Sequence, residues 1–148
     1  MSSEVVYPNF SFMYSGFSEF REGLALVKNQ GKWGFIDENN QIVIPLEFED
    51  AFHFNGGLAP VQKNEKWGFI NKKGEVVISF QYDFAFNFSD GLAPVTLNKK
   101  KGYINHQNEI VIPIIYDKAY RFKNGKAEVE LSGVEMLIDT QGNQVLND

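Results

Sequence analysis

Short apolar runs separated by polar turns fill this chain of 148 residues. The first repeat contains three such runs, which are Leu24–Lys28, Lys32–Asp37 and Ile42–Pro45. No window of about eleven residues has apolar positions spaced as on one face of a helix. Two short runs joined by a few turn residues are typical of a β-hairpin. The pattern therefore predicts an all-β chain built from short antiparallel strands.

The runs return with a period of 34 residues and without an insertion. A fixed period of this size indicates a repeat architecture, in which each unit is one small supersecondary structure. The repeat is strong in the middle of the chain and weaker at its end, as is common for terminal repeats. We predict one domain over residues 1–148, divided into an N-terminal half-unit or cap (1–22), three full repeats (23–56, 57–90, 91–124) and a degenerate C-terminal half-unit (125–148).

The polar turn after the second run ends in Asn or Gly, at Asn40 and Gly74 among others, where a left-handed backbone is tolerated. Each repeat then closes with an aromatic stretch such as Phe48–Phe54. The small Ala51 at its centre predicts a tight bend or a short helical turn. Pro45 has no N–H to donate, so it marks a strand end or a sheet edge.

Three whole units flanked by two complementary halves are compatible with two architectures. We favour an open, solenoid-like array of short antiparallel meanders, because about 34 residues are few for a propeller blade of four strands. The alternative is a closed four-unit toroid, similar to a propeller, in which no sheet edge is left exposed. In that ring Val5–Pro8 would pair with the strand near Val145.

Composition narrows the classes of function. Hydrophobic residues make up 43% of the chain and aromatic residues 15%, enough to bury a core. The net charge is −5, and the 14 basic residues form no stripe of the kind that nucleic-acid binding requires. The absence of cysteine excludes disulfides and thiolate metal sites. No signal-like N-terminus and no membrane-length apolar run is evident. We therefore expect a cytoplasmic protein without nucleic-acid or membrane partners.

The order of motifs closely resembles the bacterial WG-repeat family over residues 17–146. The resemblance rests on Gly-Leu-Ala-x-Val, then Lys-Trp-Gly-Phe-Ile, then Val-Ile-Pro and the closing aromatic stretch. The Trp-Gly pair stands at Trp33-Gly34 and Trp67-Gly68, and it becomes Lys101-Gly102 and Glu135-Met136 in the later units. The resemblance implies a β-rich repeat domain of bacteria, phages and mobile elements. Such domains are commonly treated as interaction or ligand-binding modules, and the family offers no catalytic residues to transfer.

The tryptophans have two interpretations. Trp33 and Trp67 could form a platform that stacks on a sugar or a base. They could instead fill the core between units, with Gly34 and Gly68 admitting a neighbouring backbone. Lys101 occupies the tryptophan position of the third unit, which indicates that this position is partly lined by solvent there.

The charged positions also have two interpretations each. Lys99, Lys100, Lys101 and Arg121 could form a basic patch for an anionic small ligand, or they could be an ordinary solvated surface. Glu49, Asp83 and Asp117 could supply a carboxylate pair for hydrolysis. Their equivalent positions in successive units instead favour a structural turn or cap.

We therefore expect a non-enzymatic module without cofactor or metal. The leading hypothesis is binding of an unidentified protein partner across an aromatic, repeat-built face, with a role in bacterial or phage conflict suggested by the family alone. The alternative is binding or sequestering of a nucleotide or glycan by Trp33, Trp67, Lys99–Lys101 and Arg121. A hydrolase would need two acidic side chains converging in one cleft.

Overall fold

The computed structural model describes residues 16–146, and within them the chain forms strands and turns only. The strands are β1 (Gly16–Phe17), β2 (Ala25–Asn29), β3 (Lys32–Ile36), β4 (Ile42–Phe48), β5 (Asp50–Ala51), β6 (Ala59–Lys63), β7 (Lys66–Ile70), β8 (Val76–Tyr82), β9 (Phe84–Ala85), β10 (Ala93–Leu97), β11 (Lys100–Ile104), β12 (Ile110–Tyr116), β13 (Lys118–Ala119), β14 (Lys126–Leu131), β15 (Val134–Asp139) and β16 (Gln144–Val145). The predicted all-β class is confirmed.

The described strands form four antiparallel sheets, each a meander of four strands that follow one another in the chain. Sheet 1 contains β1–β4, sheet 2 contains β5–β8, sheet 3 contains β9–β12 and sheet 4 contains β13–β16. The chain also divides into two compact units between Phe80 and Gln81. The predicted array of short antiparallel meanders is therefore confirmed, and the units are described one at a time below.

The sequence revealed three of the four strands in sheets 1, 2 and 3. The missing strand is the two-residue strand that opens sheets 2, 3 and 4, such as Asp50–Ala51. It pairs with the first strand of the next hairpin, where Asp50 lies opposite Gln62 and Ala51 opposite Val61. No helical turn forms around Ala51: the bend in this stretch lies at Glu49, and Asp50–Ala51 is a strand because it finds its backbone partners in the next repeat. Four strands therefore do fit into one repeat length.

The hairpin turns have the expected left-handed residues. Gln30 and Gly31 join β2 to β3 with φ values of 52° and 81°. The second turn ends in Asn40 and Gly74, with φ values of 61° and 81°. Asparagine and glycine are the residues that adopt this conformation most readily. The turn prediction made from these residue types is confirmed.

In sheets 1 and 3, the glycine after the tryptophan position lies under a bulge in the edge strand. In sheet 1, Trp33 pairs with Phe48 and Phe35 with Ile44, so extra residues of β4 arch over Gly34. A Cβ atom at position 34 would lie 2.5 Å from the carbonyl oxygen of Ile44. Gly68 and Gly102 have equally close backbone neighbours. The prediction that this glycine admits a neighbouring backbone is confirmed.

The closing phenylalanine of a repeat packs against the hairpin of the same repeat. In the first unit, the Phe35 and Phe54 rings meet edge to face with their centroids 4.8 Å apart. In the second unit, Tyr103 and Phe122 meet in the same way at 4.9 Å. All four side chains are at most 2% exposed. Aromatic pairs of this geometry contribute about 0.5–1.5 kcal/mol beyond the area they bury.

The strand pairing that would identify a closed ring involves Val5–Pro8, which lies outside the described residues. Ring closure and the division of residues 1–148 into one domain with two half-units stay predictions.

Candidate functional site

One column of acidic side chains caps the hairpin turn of the next sheet. Glu49 accepts hydrogen bonds from the backbone N–H groups of Asn64 and Glu65, at 2.7 and 2.8 Å. Asp83 accepts one from the N–H of Asn98 at 2.9 Å. These turn residues have left-handed backbones, so their N–H groups have no ladder partner and need another acceptor. The prediction that this column is a structural cap is confirmed.

Asp117 continues the column in the second unit. It accepts a hydrogen bond from the N–H of Ser132 at 3.0 Å and pairs with the Lys100 ammonium. The Lys100 hydrogen bond, followed by the Ser132 N–H, lowers the pKa of Asp117 below its ordinary value. The N–H groups of Glu65 and Asn64 lower the pKa of Glu49 in the same way.

These lowered pKa values predict acid sensitivity. The two caps contribute stability that is present above the ordinary values of 4.5 for Glu49 and 3.8 for Asp117 and is lost as the pH falls through the lowered ones. We expect the melting temperature to fall below about pH 4. In the Glu49→Gln/Asp117→Asn variant the melting temperature should be lower at neutral pH and should fall less steeply as the pH decreases. Circular dichroism melts at stepped pH measure this, and Glu38→Gln, which changes an exposed turn residue, should keep the wild-type slope.

A second acidic column forms turns within each sheet. The carboxylate of Asp37 accepts from the backbone N–H groups of Asn39 and Gln41 at 2.9 and 3.0 Å. Asn71 and Asp139 occupy the same position in other sheets and make the same contacts. This arrangement is an Asx turn, which asparagine and aspartate both form. Aspartate or asparagine stands at this position because its side-chain oxygen accepts hydrogen bonds from the backbone N–H groups of the turn.

A third set of caps was missed by sequence reasoning. Glu22 accepts hydrogen bonds from the N–H groups of Gly56 and Gly57 at 2.9 and 3.1 Å, and Asp90 accepts from Gly125 at 2.8 Å. Partner residues in this set are 34 or 35 positions apart, so each bond ties one repeat to the next. The signal was an acidic residue just before a repeat glycine, at Glu22-Gly23 and Asp90-Gly91.

The two tryptophans differ in exposure. Trp67 in β7 is 2% exposed, and its ring stacks on Phe52 with centroids 5.3 Å apart. Trp33 in β3 is half-buried, and the Lys28 ammonium lies 5.5 Å from its ring centroid. Trp67 thus packs in the interior of its unit, while Trp33 keeps part of its ring at the surface. A ligand could reach only Trp33 without rearrangement.

The predicted basic residues lie in different surroundings. Lys99 is an exposed turn residue, and Lys100 pairs with Asp117. Lys101 is half-buried, with its ammonium 3.3 Å from the Thr96 hydroxyl. Arg121 is exposed.

Arg121 lies on a different segment of the chain from the three lysines. The Lys100 partner Asp117 lies just before β13, and Arg121 follows its other end. The three lysines are consecutive in the chain, and Arg121 follows a different strand. Their roles in binding stay predictions.

Sheets 1, 2 and 3 each expose two adjacent aliphatic side chains at the start of the edge strand. We call them the aliphatic pairs: Ile42 and Val43 in β4, Val76 and Val77 in β8, Ile110 and Val111 in β12. Their exposed fractions range from 39% to 58%. The next residue of the same strand packs in the core instead; Ile44, for example, is 1% exposed. The aliphatic pairs are therefore not needed to fill the core.

Sheet 4 contains a cavity of about 410 Å³, which we call the C-terminal cavity. Its lining residues are Lys118, Tyr120, Glu128, Val129, Glu130, Glu135, Met136 and Leu137. Residues of the cavity lie opposite one another on β13, β14 and β15. The sequence did not predict this cavity.

Residues 16–146 contain neither a metal-binding cluster nor a membrane-spanning helix. No three histidine, aspartate or glutamate side chains come close enough to hold a metal ion. In the same part of the chain, no helix has the length and apolar character needed to cross a bilayer.

Comparison with known proteins gives a family and two distant structural likenesses. The family described as "WG containing repeat" matches residues 4–33, 33–67, 67–100 and 102–134. A plant lectin with two metal-binding sites from Cicer arietinum is 12% identical, with a TM-score of 0.37 over 86% of this chain and 88% of that chain. A plant albumin from Cicer arietinum showing hemagglutination is 11% identical, with the same TM-score and coverage. A search of curated proteins finds no match. Four family matches that together span most of the chain show that it belongs to the WG-repeat family.

Proposed function

We propose that this protein is a non-enzymatic module that binds a partner protein through its aliphatic pairs. The observation that carries the proposal is their repetition: the same two positions of the edge strand expose large aliphatic side chains in three successive sheets. Exposed apolar patches commonly mark interaction sites. The aromatic side chains of the repeat, which we expected to form the binding face, lie mostly in the core, so the exposed repeated surface is aliphatic.

The edge strands of sheets 1 and 3 favour contact through side chains over addition of a partner strand. Pro45 in β4 and Pro113 in β12 offer no N–H group to an incoming strand. The aliphatic side chains before each proline remain available for packing. A partner would therefore bring an apolar surface of its own, and burial of each exposed aliphatic side chain would stabilise the complex by roughly 1 kcal/mol.

The acidic side chains support a non-enzymatic role. Glu49, Asp83 and Asp117 are all engaged as turn caps, and Asp37 forms an Asx turn. A hydrolase would need two carboxylates about 5–10 Å apart and open to a substrate. Cytoplasmic location and a role in bacterial or phage conflict belong to the same proposal.

A matched pair of triple variants tests the proposal. The test variant is Ile42→Thr/Val76→Thr/Ile110→Thr, which keeps β-branched side chains and adds hydroxyl groups. The control is Asn39→Ala/Lys73→Ala/Gln107→Ala, at exposed turn positions with the same 34-residue spacing. A partner isolated from a host extract is produced as a pure protein, and its Kd is measured by calorimetry. We expect the test variant to bind at least about tenfold more weakly, a loss of about 1.4 kcal/mol.

Two outcomes would contradict the proposal. Equal affinity of the two triple variants would exclude the aliphatic pairs as the interface. Absence of any saturable protein binding, together with a nucleotide- or sugar-induced rise in melting temperature that Lys101→Ala abolishes, would favour the small-ligand alternative.

A further inference from the structure

The open face of sheet 4 carries two rows of side chains that point into the C-terminal cavity. In the first row, Lys118 lies opposite Glu130, which lies opposite Glu135. In the second row, the N–H of Tyr120 donates to the carbonyl of Glu128. Glu128 and Leu137 are opposed in register. The lining thus combines an aromatic ring, an apolar floor and three carboxylates.

The equivalent face of sheet 3 is closed. Pro94 and Tyr103 hold the positions that correspond to Glu128 and Leu137, and both are buried. Tyr103 is covered by the aromatic stretch that closes its own repeat. The Tyr103 hydroxyl donates to the carbonyl of Tyr120 at 2.6 Å, and Phe122 packs on the Tyr103 ring. In sheet 4 the buried Pro94 is replaced by the exposed Glu128, and Tyr120 is 55% exposed.

The carboxylates of this face differ from the capping carboxylates in their contacts. Glu49 and Asp117 each accept hydrogen bonds from backbone N–H groups in a turn. Within the described residues, the side chains of Glu128, Glu130 and Glu135 form no hydrogen bond and no ion pair. Their charges therefore remain available to an external group.

The chemistry of the lining selects a planar cation. One ammonium against three carboxylates leaves the cavity negatively charged. A guanidinium forms paired hydrogen bonds with a carboxylate and also stacks on an aromatic face. Tyr120 offers such a face beside Glu128, and the aliphatic stem of an arginine would lie on Leu137. The volume of about 410 Å³ falls in the range of ligand pockets, roughly 300–1,000 Å³.

We propose that the C-terminal cavity binds an arginine side chain presented by a basic segment of a partner protein. This inference names a partner chemistry for the proposed protein-binding function and rests on it. The cavity and the aliphatic pairs are different residues, so each can be tested while the other is left intact.

Nuclear magnetic resonance of the ¹⁵N-labelled protein tests the cavity alone. The probe is the peptide acetyl-Gly-Arg-Gly-amide, and its matched control replaces arginine with citrulline, which keeps the shape and removes the charge. We expect saturable shifts of the backbone amides of Tyr120, Glu128 and Leu137 at about 150 mM salt, with at least about fivefold weaker binding of the citrulline peptide. Glu128→Gln/Glu135→Gln should weaken arginine binding at least about fivefold, since a charged hydrogen bond is about twice as strong as a neutral one.

Controls separate this site from general attraction by an acidic protein. Glu38→Gln/Glu65→Gln removes the same charge from exposed turns and should leave binding unchanged. Tyr120→Leu should also weaken arginine binding, and the amide spectrum reports whether each variant is folded. Equal binding of arginine and citrulline peptides, equal loss in both charge variants, or shifts spread over all acidic turns would overturn the proposal. Such a failure would leave the calorimetric result for the aliphatic pairs unaffected.

Discussion

We expect Gly68→Ala to destabilise the protein by about 3 kcal/mol, a cost at the upper end of the range for overpacked positions. A Cβ atom at position 68 would lie 2.5 Å from the carbonyl oxygen of Ile78 and 2.9 Å from the carbonyl group of Ser79. Both neighbours are backbone atoms of the edge strand β8, which cannot rotate away as a side chain could. Relief requires β8 to move off β7, and the buried Ile78 moves with it.

Chemical denaturation followed by tryptophan fluorescence measures this effect, because Trp33 and Trp67 report on the same compact unit. Gly31→Ala is the matched control. Gly31 has a φ of 81° but no atom within 4 Å of the Cβ position, so its replacement costs only backbone strain, about 1–2 kcal/mol. Equal destabilisation in the two variants would show that steric crowding by the β8 backbone is not the reason for the glycine at position 68.

Sheet 4, which belongs to the same chain, supports this explanation. Met136 occupies the position that corresponds to Gly102, and its neighbour Leu137 pairs with Val145 in the short strand β16. The described pairing there, Leu137 with Val145 and Ile138 with Gln144, is regular, without the bulge of sheets 1 and 3. A side chain is therefore tolerated where no backbone arches over the position.

Much of the fold could be predicted because three repeats show the same pattern of apolar runs and turn residues. The short apolar runs predicted the long strands, and Asn40 and Gly74 predicted the turns. The two-residue strand Asp50–Ala51 could not be predicted, because its partners Gln62 and Val61 come from the next hairpin. A segment that is ordered by its neighbour has little pattern of its own.

The candidate sites were harder to predict than the fold. Acidic side chains look alike in sequence whether they cap a turn, as Glu49 does, or line a cavity, as Glu128 does. The difference depends on whether a backbone N–H lies within reach, which only the pairing of strands determines. Likewise, the exposure of Val76 and the burial of Ile78 follow from the strand register, since alternation alone does not say which face is covered.

We expect Phe122→Ala to destabilise the second unit by about 3–5 kcal/mol, the usual cost of deleting a fully buried phenylalanine ring. Phe122 is 0% exposed, and its ring packs edge to face on Tyr103. The side chain joins the hairpin of sheet 3 to sheet 4 within one core cluster, which also contains Val129 and Ile138. Hydrogen exchange should therefore accelerate at amides of both β11 and β14, and a circular dichroism melt should begin at lower temperature.

Tyr120→Ala is the control, because it alters the same segment two residues away while the backbone carbonyl that accepts from Tyr103 is retained. Tyr120 is 55% exposed, so its loss should change stability by less than about 0.5 kcal/mol. The same variant should weaken arginine binding in the C-terminal cavity. If Tyr120→Ala were as destabilising as Phe122→Ala, the tyrosine ring would be part of the core and not a surface for a partner. A large stability loss at Phe122 with a binding loss at Tyr120 would show that one repeat segment both closes the sheet before it and lines an open site on its own sheet.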